Sequence, residues 1–369
     1  MFASFEGPVL EDFTIYRETI AFAGDAYEKS MARLLFDSLP PSPPPDPAAQ
    51  IGVYVHMNNL VFEGFLDATV EKLKSVSGTA IVFDVKGSYV YFPTQSTVAQ
   101  ESEIIKPLYE LPEIVAELKN AGIYTIARVI ALKDPRFAFR NPEVRLSRSE
   151  SSEGTGDFWV KPEHELTLIY NQQILAEILA AGVDEINLDF IRYPSGLTNN
   201  FLHMSGEEKI ANLEKFIRMA KNTIDSLNPN VKLSINTFAI LAWDYESNRD
   251  QLGQDVVRFA PYVDIIAPML YPATFGVGSY YNPRVDQGGR NYNLIKKSLE
   301  GYQRLLGEEH AHKLRPWIQG YGLEASDITN QIRGVWDAGV CGFTVWEGKN
   351  YYAETYKALK WIGVAEKCR

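Results

Sequence analysis

The chain has 369 residues, of which 46% are hydrophobic and 22% charged, and its formal net charge is −11. This composition is typical of a globular protein, with length for one large α/β domain plus an appendage or for two smaller domains. The acidic balance argues against nucleic acids and anionic membrane surfaces as partners and is compatible with neutral ligands. The two cysteines, Cys341 and Cys368, are too few for a disulfide framework or a cysteine-rich zinc site.

The first residues, MFASFEGPVLEDF, lack the basic and apolar regions of a signal peptide. No run of about 18 apolar residues occurs, so the sequence predicts no membrane span. Two interpretations of the compartment stay open: a cytoplasmic protein, or one whose export signal is not in this chain.

Residues 1–50 form a predicted appendage. Apolar residues recur at helical spacing through residues 11–38, which predicts one amphipathic helix. Six prolines between Pro40 and Pro47 then predict a stiff spacer that cannot continue a helix. We therefore expect an N-terminal helix and proline-rich linker in residues 1–50, followed by the main domain in residues 51–369.

Eight short β-type runs alternate with helical patterns through the main domain, and glycines near residues 122, 182 and 339 mark helix ends. Alternation of this kind predicts a parallel sheet, and a count of eight predicts a closed (β/α)8 TIM barrel. An open doubly wound sheet is the alternative, but no glycine-rich phosphate loop follows the first run. The runs are Ile51–Met57, Thr79–Val85, Ile123–Ile130, Glu185–Ile191, Lys232–Thr237, Asp264–Tyr271, Arg315–Gln319 and Gly342–Trp346, and the helical stretches lie near 64–77, 107–121, 163–181, 206–227, 249–260, 291–306, 326–338 and 352–363.

The fourth run, in the stretch AGVDEINLDFIRYP at 181–194, has the clearest functional pattern. Because side chains alternate along a strand, Glu185, Asn187 and Asp189 share one face. A polar inner face and an apolar outer face suit a barrel strand that ends in a site. The competing interpretation is a structural ion pair between Asp189 and Arg192.

Polar or aromatic side chains stand where all eight runs end, and in a TIM barrel that end carries the active site. We predict that this ring binds the substrate, with its carboxylates doing the chemistry. Its members are His56, Asp84, Lys86, Arg128, Asp189, Arg192, Asn236, Met269, Tyr271, Gln319, Trp346 and Glu347, with Glu185 and Asn187 deeper in the fourth run.

Glycoside hydrolysis usually needs two carboxylates, and three are candidates here: Asp189, Asp84 and Glu347. Asp189 is the strongest, and Asp84 lies two strands away beside Lys86. Glu185 is open to a catalytic interpretation or to a structural one, a bridge to Arg128 inside the barrel. Asp264 begins its run at the opposite face of the barrel and is expected to be structural, whereas Lys86, Arg128 and Arg192 would favour the charged form of nearby carboxylates.

Two long connections, 131–162 and 272–290, are rich in aromatic residues, which suit the flat faces of sugar rings. The alternative is that these aromatics pin the loops to the barrel. They are Phe137, Phe158, Trp159, Phe275, Tyr280 and Tyr281, and Trp243 and Tyr245 follow the fifth run.

Other chemistries find little support in the sequence. The five histidines contain no pair four residues apart with a glutamate between them, so we expect no metal. A serine nucleophile in a Gly-x-Ser-x-Gly elbow is also absent. We expect no cofactor.

The chain resembles the glycoside hydrolase-like barrels catalogued as domain of unknown function 4015. The resemblance covers residues 51–363 and implies a TIM barrel, a carbohydrate substrate and a location attached to, or exported across, a bacterial envelope. It rests on the stretches FDVKG, GIYTIARVIALKDPRFAFRNP, FWVKP, VDEINLDFIRYP, IAPMLYPATFGVGSY, PWIQGYG and GFTVWEGKNYY, which occur in that order.

A more distant similarity is to the family 18 chitinases, through Met269-x-Tyr271 on the sixth run and Trp346 on the eighth. The fourth run departs from their acidic motif, because Ile191 stands at the position of the catalytic glutamate and Asn187 replaces the preceding aspartate. This similarity therefore does not imply the substrate-assisted mechanism of the chitinases.

The resemblance also bears on the second carboxylate. In the family, the position of Glu347 is more usually an asparagine, which favours Asp84 as the partner of Asp189.

Two hypotheses follow. The first is a glycoside hydrolase acting on a polysaccharide, with Asp189 as nucleophile or base, Asp84 as acid or partner, and Tyr271 and Trp346 under a sugar ring. The second is a non-catalytic carbohydrate-binding barrel that has lost one carboxylate. A third hypothesis, a metal-dependent deacetylase acting on the same sugars, would need metal ligands that the sequence does not supply. The distance from Asp189 to a second cleft carboxylate would discriminate the first two.

Overall fold

A computed structural model describes residues 45–146, 158–195 and 202–363 of the chain. The predicted helix at 11–38 lies outside these residues. Eight strands are present, each within one or two residues of its predicted run. They are β1 Ile51–Val55, β2 Ala80–Lys86, β3 Tyr124–Ile130, β4 Glu185–Asp189, β5 Lys232–Phe238, β6 Ile265–Leu270, β7 Trp317–Gln319 and β8 Phe343–Trp346.

All eight strands are parallel, and each pairs with the next along the chain until β8 pairs with β1. The closing pair aligns Gly52 with Thr344 and Val53 with Val345. The prediction of a closed (β/α)8 barrel is therefore confirmed, and the open doubly wound sheet is excluded.

Helices follow every strand and cover the outside of the barrel. The predicted helix at 249–260 is broken, because Gly253 has a φ of +68° and ends its first half. The helices are α1 Phe65–Ser75, α2 Thr97–Glu101, α3 Leu111–Asn120, α4 Pro135–Arg140, α5 Glu165–Ala180, α6 Gly206–Leu227, α7 Glu246–Leu252, α8 Val256–Phe259, α9 Arg290–His310, α10 Ala325–Asp337 and α11 Ala353–Ile362.

The apolar core has two parts because each strand has two buried faces. Outward residues such as Ile81, Phe83 and Ile186 join the large cluster between barrel and helices. A smaller cluster fills the barrel, with Tyr54, Val82 and other inward residues. Continuous burial on both faces is what covered parallel strands require.

A buried ion pair lies deep inside the barrel. Arg315 Nη2 is 2.5 Å from Glu185 Oε1, and Arg315 Nη1 donates to Glu185 Oε2 at 2.8 Å and to the carbonyl of Pro47 at 2.8 Å. The predicted bridge from Glu185 to Arg128 is therefore wrong. Glu185 begins β4, so it lies near the end of the barrel opposite the site, beside the linker. Asp264 is also structural there, accepting the amide of Leu233.

The linker closes this end of the barrel. Pro47–Ala49 form a 3-10 turn whose Asp46 carboxylate accepts the amide of Ala48. The carbonyls of Ala48 and Gln50 accept the amides of Gly342 and Phe343 at 3.1 and 2.9 Å. The turn thus extends the contact between β1 and β8. Within the described residues, no helix combines the length and apolar character that crossing a bilayer requires.

Candidate active site

A cavity of about 500 Å³ opens among the residues at the C-terminal ends of β3 to β8. This is the end at which TIM-barrel enzymes carry their sites. Its walls are mainly aromatic and apolar, with a small polar set. The polar and charged members are Arg128, Asp189, Arg192, Asn236, Gln254, Tyr271 and Thr274, and the aromatic walls include Phe190, Phe238, Phe275, Tyr280, Trp317 and Trp346.

Asp189 is held by donors on both carboxylate oxygens. Oδ2 accepts from Nε and Nη2 of Arg128 at 2.9 and 2.5 Å, and Oδ1 accepts the amide of Phe190 at 2.7 Å. Phe190 has a φ of +53°, a left-handed conformation that a bulky residue rarely adopts. This turn ends β4 at Asp189, two residues before the predicted end, and brings the amide onto the carboxylate.

Arg128 joins Asp189 to the second predicted carboxylate. Its Nη1 lies 2.5 Å from Oδ1 of Asp84. Burial lowers the pKa of Arg128, but the two aspartates outweigh that effect and the net shift is upward. One guanidinium therefore bridges the two carboxylates, through a contact of 2.5 Å on each side.

Asp84 does not line the cavity, because Arg128 stands between it and Asp189. Its Oδ2 accepts the hydroxyl of Tyr54, and its backbone carbonyl accepts the hydroxyl of Tyr109. Burial first, and the charge of Asp84 second, raise the pKa of Tyr54, so its phenol stays a donor at neutral pH. Asp84 is thus fixed on the far side of Arg128.

Aromatic rings enclose this network. Trp346 stacks on Tyr54 with ring centroids 4.1 Å apart, and the Arg128 guanidinium lies 5.1 Å from the Trp346 ring and 5.6 Å from the Tyr54 ring. Cation–π contacts at these distances favour one position of the guanidinium. Trp346, a predicted substrate-binding residue, therefore also covers the ion pair.

Arg192 lines the same cavity in a different setting. Its guanidinium lies 4.7 Å from the ring of Trp159 and 4.6 Å from that of Phe238. Burial lowers its pKa from 12.5 to about 10, and the charge of Asp189 opposes that shift. The predicted pair of Asp189 with Arg192 is not formed, because the partner of Asp189 is Arg128.

An amide network holds the wall between β4 and β7. Asn236 Oδ1 accepts from Asn187 Nδ2 at 2.9 Å and from the indole of Trp317 at 2.8 Å. Gln254 accepts the amide of Phe238 and donates to the carbonyls of Ile191 and Asn236. Asn236 lines the cavity, whereas Asn187 supports it from below.

Four predicted site residues hold loops or the barrel instead of lining the cavity. Gln319 accepts the amide of Ala273 and donates to the carbonyl of Tyr321, and Glu347 accepts the amide of Tyr351. Lys86 is fully buried, 2.8 Å from Asp134. His56 accepts the amide of Asn58 at 3.3 Å and contacts Tyr54 edge-on.

The aromatic loops divide between the two expectations. Phe137 packs in the core against Tyr170, as the structural interpretation predicts. Trp243, Phe275 and Tyr280 instead form a cluster at the mouth of the cavity, with Trp243 and Tyr280 4.0 Å apart. An open recess of about 320 Å³ continues beyond Tyr280.

Several residues in or next to the cavity escaped sequence reasoning. Tyr54 could have been found, since it shares a strand face with His56. Phe238 is the last residue of β5 and Gln254 lies between α7 and α8, where no pattern distinguishes them. Within the described ranges, no group of three histidine, cysteine or acidic residues is placed to hold a metal ion.

Comparisons with solved structures show the fold. The Bacillus cereus spore cortex-lytic enzyme SleL is 10% identical, with a TM-score of 0.54 over 86% of this chain and 75% of its own. A class V chitinase from Pseudomonas fluorescens is 13% identical, with a TM-score of 0.52 over 85% and 99%. An endo-1,4-β-D-mannanase from Thermotoga petrophila is 14% identical, with a TM-score of 0.52 over 81% and 88%.

No curated protein matches the chain. The family comparison is more specific, because one profile covers most of the barrel, from β1 to the residue before α11. That profile is described as "Putative glycosyl hydrolase domain" and matches residues 52–352, so the chain belongs to the domain of unknown function 4015 family, as the sequence stretches predicted.

Proposed function

We propose that the chain is a glycoside hydrolase that cleaves a polysaccharide at the cavity between β3 and β8. The observation that carries this proposal is Asp189, a buried carboxylate that lines an aromatic-walled cavity at the catalytic end of a TIM barrel. The family description, and the chitinase and the mannanase among the structures of similar fold, support a carbohydrate substrate. The family resemblance also favours a polysaccharide of the cell envelope.

Asp189 would act as nucleophile or general base. All contacts to its oxygens come from donors, an arrangement that suits an anion and not a proton-donating acid. In a retaining reaction it would attack the anomeric carbon, and in an inverting one it would activate a water molecule. The bifurcated contact with Arg128 fixes its Oδ2 and leaves the carboxylate facing the cavity.

Asp84 would act through Arg128 as a positioning residue. Both of its oxygens are occupied, by Arg128 and by the Tyr54 hydroxyl, and it does not line the cavity. It therefore orients the guanidinium that orients Asp189. Glu347, whose Oε2 accepts a backbone amide in the turn after β8, is placed to support that turn.

The leaving oxygen needs a proton, which it takes from water, and the hydroxyl of Tyr271 on the cavity wall is the candidate hydrogen-bond donor to that oxygen. Burial raises the pKa of Tyr271 well above 10, and Asp189 raises it further, so its hydroxyl stays protonated at neutral pH. Among the described residues nothing forms a hydrogen bond with that hydroxyl. It is therefore available to a ligand oxygen, while its ring contacts the sugar face together with Trp346.

The test is release of reducing ends from envelope polysaccharides by the wild-type protein and by Asp189→Asn. We expect release by wild type and none by the variant, with the fold unchanged by circular dichroism. Asp67→Asn, on the exposed side of α1, is the matched control and should keep full activity. Equal release by Asp189→Asn and wild type would remove Asp189 from the mechanism.

A non-catalytic sugar-binding barrel is the second candidate. The observation that favours it is that Asp189 is the only acidic side chain lining the cavity in the described part of the chain. Binding of a polysaccharide without release, equal in wild type and Asp189→Asn, would select this alternative.

A further inference from the structure

Arg192 is a half-buried cation whose charge no carboxylate of the described residues neutralises by contact. No acidic group of the described residues lies within ion-pair distance of it, whereas Arg128 in the same cavity has two. Within the described residues its one hydrogen bond runs from Nη1 to the carbonyl of Tyr193 at 2.9 Å. An arginine has five N–H donors, so most of them remain available.

Three aromatic rings hold this guanidinium in place. Trp159 and Phe238 lie at 4.7 and 4.6 Å, and Phe190 lies at 5.4 Å. Rings cannot accept the in-plane N–H bonds of a guanidinium, so they position the group without satisfying it. The N–H groups that remain available lie in one plane and match the paired oxygens of a carboxylate or a sulfate ester.

A second donor lies on the same cavity wall. Asn236 Oδ1 accepts two hydrogen bonds, from Asn187 and Trp317, and this fixes which end of the amide is the oxygen. The Nδ2 group therefore donates, and it has no acceptor among the described residues. Arg192 and Asn236 both line the cavity that contains Asp189.

The charges of the cavity also differ from those of the whole chain. Arg128 is offset by Asp84 and Asp189, which leaves one negative charge in that network, and Arg192 is the separate positive one. The net charge of −11 argues against anionic partners in general. Salt screens the distant surface charges, however, so they have little effect on an anion in direct contact with Arg192.

We propose that Arg192 binds an anionic substituent of the substrate, so that the cavity selects an acidic polysaccharide over a neutral one. This inference rests on the proposed function, because it names the substrate class of the same cavity. The substituent is a carboxylate of a uronic acid or a sulfate ester, both of which present paired oxygens to the guanidinium. Asn236 Nδ2 supplies a further donor to the bound sugar.

The test measures binding of oligosaccharides by isothermal titration calorimetry. The probes are hexasaccharides of polygalacturonate, alginate, hyaluronan and chondroitin sulfate, each beside its carboxyl-reduced form, and chondroitin sulfate also beside its desulfated form. The proteins are wild type, Arg192→Gln and Arg136→Gln. Arg136 also lies over a ring, that of Tyr89 at 4.7 Å, but outside the cavity, so it is the matched control.

We expect at least one acidic probe to bind wild type and Arg136→Gln, and to bind Arg192→Gln about tenfold to a hundredfold more weakly, the range of a lost charge-assisted hydrogen bond. Carboxyl reduction or desulfation should cause a similar loss in wild type and in Arg136→Gln but not in Arg192→Gln, and which of the two treatments does so identifies the source of the anion. Equal binding of charged and neutral forms, or no binding of any acidic probe, would overturn the inference.

Hydrolysis is scored separately on the probes that bind. Binding of acidic probes through Arg192 without cleavage would overturn the hydrolase and leave the acidic-sugar assignment intact. Cleavage of neutral and acidic forms at equal rates would overturn the acidic-sugar assignment and leave the hydrolase intact.

Discussion

At the scale of single residues, the site depends on one guanidinium shared by two carboxylates. Arg128 contacts Asp84 and Asp189 at 2.5 Å each, and only Asp189 reaches the cavity. The sequence identified all three residues and the strand ends that carry them. It could not show which carboxylate faces the ligand, because that depends on how the strands are staggered around the barrel.

Asp84→Asn should lower kcat by about tenfold to a hundredfold, since it loses a charge-assisted hydrogen bond worth about 1.5–3 kcal/mol. KM should change little, because Asp84 does not line the cavity. Steady-state kinetics on the cleaved polysaccharide measure both constants. A variant in which KM rises and kcat is kept would place Asp84 in substrate binding.

Tyr271→Phe should lower kcat by about tenfold, because the leaving oxygen loses a hydrogen bond worth about 1 kcal/mol. The ring remains, so binding of the oligosaccharide should persist. Since burial holds the pKa of Tyr271 well above its usual value, the wild-type rate should show no alkaline fall below about pH 10 from this group. Full activity of Tyr271→Phe would exclude it as the donor.

Arg192→Met should raise the stability of the protein while it weakens ligand binding. Burial lowers the pKa of Arg192 to about 10, so the folded state disfavours the cation at every pH below that value. Removing the charge should contribute about 1 kcal/mol at pH 7, reduced by the lost ring contacts. The gain should shrink above pH 10, where the wild-type side chain begins to lose its proton. Urea denaturation at pH 7 and pH 10.5 measures it, and a loss of stability at pH 7 would contradict it.

At the scale of elements, strand positions followed from the sequence better than strand ends did. Buried β-branched runs identify a strand, but β4 was predicted to reach Ile191 and stops at Asp189 because Phe190 turns left-handed. Likewise, nothing in the helical pattern at 249–260 showed that Gly253 would break it. Such turns depend on tertiary contacts, here the packing of the Phe190 ring against Trp159, with the ring centroids 5.7 Å apart.

The turn at Phe190 can be tested with two substitutions that both remove the ring. Asparagine tolerates the left-handed region, whereas valine does not. Phe190→Val should therefore be less stable than Phe190→Asn by about 1–2 kcal/mol, measured by urea denaturation. Equal stabilities would mean that the turn carries no strain.

At the scale of the whole molecule, the barrel was predictable and its ion pairs were not. The alternation of eight runs with helices left the closed barrel as the best interpretation. The structural interpretation of Glu185 paired it with Arg128, but its partner is Arg315, which lies far away in sequence. Side-chain layers depend on the stagger between strands, which no local pattern records.

Arg315→Met should destabilise the protein by about 3–5 kcal/mol, because it leaves Glu185 buried and uncompensated. The double variant Glu185→Leu, Arg315→Met should recover most of that loss. Thermal or urea denaturation of both variants measures the difference. If the double variant is as unstable as the single one, the contact of Arg315 with Pro47 matters more than the charge.

The pairing of β1 with β8 joins the first and last strands of the barrel, which are the two strands furthest apart in the sequence. Trp346, at the end of β8, also lines the cavity. Tyr54 on β1 and Trp346 on β8 stack across this pairing. Under the proposed function, a sugar that rests on Trp346 would bind only molecules in which β1 and β8 are paired. Ligand binding and barrel closure are then thermodynamically linked: a saturating oligosaccharide should slow hydrogen exchange of the amides of Val53 and Val345 by the same factor, as one opening event.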